Sequence, residues 1–136
     1  MIEPKDLRIG NYLSNPDSVY SKITSIDCEW GDKSGWLCFI DDDGERNSCP
    51  LINCSPIPLT EDLLAKCGFR SKYKSCNTDW NIGSFTINQK SNEDDDGNTI
   101  PQEQVFYFDY TYEIKYLHQL QNLCYCLTGT ELEVKL

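Results

Sequence analysis

Residues 114–136 read IKYLHQLQNLCYCLTGTELEVKL, and the fold of the whole chain turns on how they are read. Taken as a helix over 116–128, they place Tyr116, Leu117, Leu120, Leu123, Cys124 and Leu127 on one side at spacings of three and four, the periodicity of a buried helical face. Gly129 stands where a left-handed cap is wanted. Leu132, Val134 and Leu136 then alternate with Glu131, Glu133 and Lys135 as in a half-buried strand. The expectation is a core helix followed by a strand that closes a sheet.

The opposite side of that helix carries His118, Gln121, Asn122 and Tyr125, at offsets of three, four and seven, and reads as a surface strip. In a chain that is 25% charged, no charged residue occurs from 116 to 130. A helix with one face in the core ordinarily sets Lys and Glu on the other, so this strip is expected to be covered, by the N-terminal part of the chain or by a partner. Intramolecular cover is favoured, because short two-lobed chains need contact between lobes. If a partner covers the strip, Tyr125 is its apolar anchor.

The helix needs a bed. Phe106, Phe108, Tyr110 and Tyr112 alternate along 104–112, so one face of a strand there would be an aromatic wall. A strand over 80–88 is expected to pair with it, through a polar loop at 89–102. Upstream, Thr60 is a good N-cap for a short helix over 61–67. Glu61 and Asp62 lie in its first turn, Leu59 can staple onto Leu64, and Gly68 stops it ahead of Phe69. Residues 7–13, 19–30, 36–40 and 48–52 read as short strands, with turns at Asn15-Pro16-Asp17, at 31–35 and at the acidic tip Asp41-Asp42-Asp43-Gly44-Glu45. The fold class is therefore α+β. A small bent antiparallel β unit over 1–57, compatible with an SH3-like barrel, precedes an α-β-β-α-β lobe over 58–136, packed on it as a second lobe or within a single domain.

Twelve Lys and Arg against 22 Asp and Glu give a net charge of −10. Such a balance repels phosphate backbones, so nucleic-acid binding is disfavoured and a partner with a basic surface is favoured. The start, MIEPKDLRIGNYL, lacks the basic and apolar regions of a signal peptide, and no run approaches the ~20 apolar residues of a membrane helix. A cytoplasmic, non-membrane protein is expected. Its eight cysteines then act as small buried hydrophobes. The spacings Cys49-x4-Cys54 and Cys124-x-Cys126 are poor for a zinc site.

The loop Asn92-Glu93-Asp94-Asp95-Asp96-Gly97 with Glu103 matches a calcium-loop pattern. It lies between apparent strands and contains Pro101, so a solvated loop is the expectation and no metal or cofactor is assigned. The single histidine, His118, has no thiol aligned with it, and no phosphate loop, nucleophile elbow or histidine metal motif occurs. No catalytic residue is assigned and a non-enzymatic role is expected.

LRIGNYL at 7–13, PIPLTEDLLAKCGF at 56–69 and YLHQLQNLCYCLTGTELEV at 116–134 resemble a family of small proteins encoded in phages and prophages of gut Bacteroidales. The resemblance implies a mobile-element origin and a cytoplasmic setting in a bacterial host; it carries no activity and no catalytic residues across. The resulting expectation is an accessory protein that binds a host macromolecule, such as an inhibitor of a CRISPR-type defence effector whose basic nucleic-acid channel an acidic surface would occupy. Its candidate contact residues are Asp41, Asp42, Asp43, Glu45, Asp94, Asp95 and Asp96, with His118, Gln121, Asn122 and Tyr125 if the strip is partner-facing. The alternative is an assembly module of phage particles or replication complexes that buries the same surfaces against copies of itself.

Overall fold

The computed structural model describes residues 6–16, 18–27, 35–40, 44–71, 79–83, 85–90, 105–109 and 111–135. Two antiparallel sheets and two helices make it an α+β protein with an N-terminal β unit. The first sheet is a meander of β1 (Tyr12–Asn15), β2 (Ser18–Asp27), β3 (Trp36–Ile40) and β4 (Arg46–Pro50) in sequential order. Along β3 burial alternates strictly, so Leu37 and Phe39 turn inward onto Leu13, Ile23, Leu51 and Cys54 to form a small core of their own. Register shifts within β1–β2 and β2–β3 mark irregularities of the kind that bend a sheet.

A 3-10 turn, Leu51–Asn53, brings the chain back beside β1, where Ser14 and Ser55 exchange two backbone hydrogen bonds of 2.9 and 2.8 Å. That isolated bridge joins the turn to β1 without a ladder, and the SH3-like barrel does not follow from it.

α1 (Glu61–Lys66) starts as its sequence dictates. The Thr60 hydroxyl accepts from Leu63 N at 3.2 Å, Glu61 and Asp62 occupy the first turn, and Gly68 (φ +90°) turns the chain so that Phe69 N returns to Leu64 O. The second sheet follows in sequential order: β5 (Arg70–Ser71), β6 (Asp79–Ile82), β7 (Phe85–Lys90), β8 (Val105–Phe108) and β9 (Tyr112–Ile114). Here two expectations are corrected. The strand expected over 80–88 is a hairpin, Ile82 pairing with Phe85 across a turn at Gly83 (φ +57°). The strand expected over 104–112 is also two, Phe108 pairing with Tyr112 across a turn in which Asp109 holds φ +52°. That turn breaks the aromatic wall, leaving Tyr112 67% exposed. Phe106 and Phe108 remain, and Phe108 stacks on Phe85 (centroids 5.7 Å, 10° between planes).

α2 (Leu117–Thr128) lies on this bed. Leu117, Leu120 and Cys124 share one core with Leu64, Phe69, Phe85, Ile87, Phe106 and Leu132. Gln119 Oε1 accepts from the backbone N–H groups of Lys115 and Tyr116, and Gly129 (φ +70°) caps the far end. The helix emerges where periodicity puts it, but Leu127, assigned to the buried face, is 54% exposed because the core ends one turn earlier. The expected final strand does not form. Leu132 is buried and Val134 half-buried between exposed Glu131, Glu133 and Lys135, so the alternation is real, yet no ladder receives it.

Candidate functional site

The strip opposite the core face of α2 is not free. Gln121 is fully buried and uses both ends of its amide on the N-terminal segment, accepting from Tyr12 N at 2.9 Å and donating to Gly10 O at 3.0 Å. Asn122 continues the pattern one residue on. Its Oδ1 accepts from Asn11 Nδ2 at 2.8 Å and Arg8 Nε at 3.2 Å, and its Nδ2 donates to Asp6 O at 2.9 Å. Asn11, itself fully buried, also accepts from Arg8 N at 2.8 Å. An uncharged helix face is thus the physical requirement of this junction. Amides satisfy backbone donors and acceptors in a dry interface, where a Lys or Glu would carry an unpaired charge into it.

Arg8 closes the junction at its edge. Its guanidinium grips Glu131 through both oxygens (2.6 and 3.0 Å) and lies over the Tyr125 ring, 4.4 Å from the centroid. The hydrogen bond to Glu131 raises the Arg8 pKa against a smaller desolvation effect. With side chains 29% and 40% exposed, the pair contributes only about 0.5–1 kcal/mol. Gly10 (φ +99°) is required by the backbone turn here. It adopts a conformation hostile to L-residues, while the Glu131 carboxylate, 3.7 Å from where a Cβ would stand, would be in ordinary contact with one.

His118 corrects the sequence reading most sharply. Assigned to a surface strip, it is 4% exposed, its ring stacked on Tyr116 at 5.9 Å, and its Nδ1 has no hydrogen-bond partner among the described residues. Burial lowers its pKa, partly opposed by Asp6. His118 and Gln121 are therefore interior groups. Asn122 is half-buried and committed to the junction, and of the four only Tyr125, 43% exposed, offers surface, part of it under Arg8.

Three buried thiols are deactivated by their surroundings. Burial pushes Cys54 and Cys67 up to about 12 and raises Cys124, so all three stay protonated and weakly nucleophilic. The six described cysteines are free, and no group of three or more His, Cys, Asp or Glu that could hold a metal ion occurs among the described residues. No described helix is long and apolar enough to cross a membrane.

Of the acidic candidates, Asp41, Asp42, Asp43, Asp94, Asp95 and Asp96 lie outside the described residues, as does the calcium-like loop; Glu45 is described and exposed. The structure adds one surface that sequence reasoning passed over. On β3 the outward residues are Trp36 (43% exposed), Cys38 and Ile40 (37%), a row on a central strand of the first sheet. Ile40 faces Lys22 on β2 and Arg46 on β4, and the chain leaves it directly for Asp41-Asp42-Asp43. The signal was present in WLCFI, where both faces are apolar, but such a run equally suits a strand buried on both sides.

A second feature is a cleft of about 560 Å³ on the other sheet. Its walls are Ala65, Lys66 and Cys67 of the α1 end, the Gly83 turn, Cys124 of α2 and the C-terminal segment. Comparison with protein-family models, with curated proteins and with solved structures gives no match.

Proposed function

We propose that the chain is a non-catalytic binding protein of phage origin that engages a host macromolecule through the outer face of its first sheet. The observation that carries this reading is the exposed Trp36–Cys38–Ile40 row, which the sequence continues directly into the acidic stretch Asp41-Asp42-Asp43-Gly44-Glu45. A half-exposed Trp on a stiff central strand is the kind of rigid aromatic anchor around which binding energy concentrates. The adjoining carboxylates would steer it to a basic surface, as the net charge of −10 would at longer range. The clasped α2 strip supports the same reading by subtraction, since the Gln121 and Asn122 amides are used within the chain and His118 is buried. A basic nucleic-acid channel, such as that of an RNA-guided defence effector, has the required complementarity.

The test is competition between the protein and target DNA for a purified RNA-guided effector from a Bacteroidales host at low salt. Competition is expected from the wild type. It is expected to be lost when Asp41, Asp42, Asp43 and Glu45 are replaced by Lys, and separately in Trp36→Ser, with both variants folded. No competition by the wild type, or competition unchanged in both variants, removes the proposal. A stable homo-oligomer in analytical ultracentrifugation, abolished by Trp36→Ser, would favour the assembly module instead.

A further inference from the structure

We propose that the C-terminal segment 131–135 is an open strand edge onto which a partner protein adds an extended peptide, seated in the cleft between that segment and α1. This is a second surface, independent of the first sheet's outer face. The segment has the exposure alternation of a strand: Leu132 is buried and Val134 half-buried, with Glu131, Glu133 and Lys135 outward. It is tied at both ends, by the Arg8–Glu131 ion pair and by Lys135 N donating to Lys66 O at 2.9 Å. Between these ties, the backbone N–H and C=O groups of Glu131, Leu132, Glu133 and Val134 have no hydrogen-bond partner among the described residues.

The side chains of an extended segment alternate in and out, so its backbone groups point sideways, to opposite flanks at successive residues. Lys135 N points to α1. By the same alternation, the N–H and C=O groups of Glu133 and Glu131 face that flank, and those of Leu132 and Val134 face the β1 flank. Each flank is a cleft: about 560 Å³ on the α1 side and about 240 Å³ on the β1 side. Only the larger falls in the ~300–1,000 Å³ range typical of ligand sites.

The chemistry of the α1 cleft selects the occupant. Two residues with unpaired donors and acceptors offer the hydrogen bonds of an antiparallel pair, which demands an extended backbone. Cys67, Phe85, Cys124 and Leu132, each 5% exposed or less, form an apolar floor, so alternate residues of the peptide should be apolar. Lys66 and Lys135, joined through their backbones, line this cleft together with Glu131 and Glu133, so its rim carries both signs and the selection rests on the backbone groups and the apolar floor.

The experiment titrates the full chain with a fluorescein-labelled peptide Thr-Val-Thr-Val-Thr-Val-Glu, followed by polarisation and by amide chemical shifts. Saturable binding below about 1 mM is expected, with shifts at Cys67, Gly83 and 131–135. A peptide with glycine in place of valine should bind at least about tenfold more weakly. Ala65→Trp, which fills the cleft from an exposed helix position, and Glu133→Pro, which removes an N–H aimed at it, should each weaken binding by about the same factor. Thermal melts confirm that both variants fold. No saturation at that concentration, shifts confined to the Trp36 face, or full affinity in folded Ala65→Trp would each overturn the proposal. Self-association that blocks the peptide would assign the cleft to a second copy of the chain and equally overturn it.

Discussion

Gln121 is the residue on which the junction between the two sheets depends. Its amide satisfies one backbone donor and one backbone acceptor that no other described group reaches. Gln121→Leu keeps the volume and strands both, so a loss of about 2–4 kcal/mol is expected in urea unfolding. His118 stands in the opposite position, a buried ring whose Nδ1 gains nothing. His118→Phe preserves the stack on Tyr116 and removes the orphan, and is expected to hold or raise stability by about 1 kcal/mol at pH 7.5. The acid limb should change too. Because burial lowers the folded pKa below the ordinary 6.5, the unfolded chain binds the extra proton first. The histidine's contribution is thus complete above about pH 6.5 and is lost as pH falls toward the folded pKa. Melting temperatures measured from pH 7.5 to 5 should fall less for His118→Phe than for the wild type; parallel curves would mean that His118 does not titrate on unfolding.

At the scale of elements, legibility followed local chemistry. Thr60, Gly68 and Gly129 cap where their side chains or freedom at positive φ require, and the helices fall within a residue of their sequence positions. Thr60→Ala removes the acceptor for Leu63 N and should cost about 1 kcal/mol in thermal or urea unfolding. The Gly83 turn was legible in principle, since a glycine between two apolar-alternating runs marks a hairpin. The Asp109 turn was not, because it interrupts an unbroken aromatic alternation at a residue with no glycine to announce it. The terminal alternation of Leu132 and Val134 was read correctly as half-buried. A strand also needs a neighbour with matching backbone groups, and that is a property of the tertiary arrangement, which periodicity does not carry.

Across the whole molecule, the missing charge on α2 was the most informative signal in the sequence and also the most ambiguous. It showed that the outer face is covered without showing by what, because the covering groups Arg8, Gly10, Asn11 and Tyr12 lie more than 100 positions away. The surfaces left for partners are on β3 and beside the C-terminal segment. α2 is clasped by the N-terminal segment through Gln121. The most direct measurement is hydrogen exchange at the Tyr12 amide, whose acceptor is Gln121 Oε1. The expected result is exchange slowed to near the global unfolding rate in the wild type and accelerated by at least about tenfold in Gln121→Ala. A Tyr12 amide that exchanges at the rate of an exposed loop in the wild type would contradict the clasp and return the α2 strip to the surface.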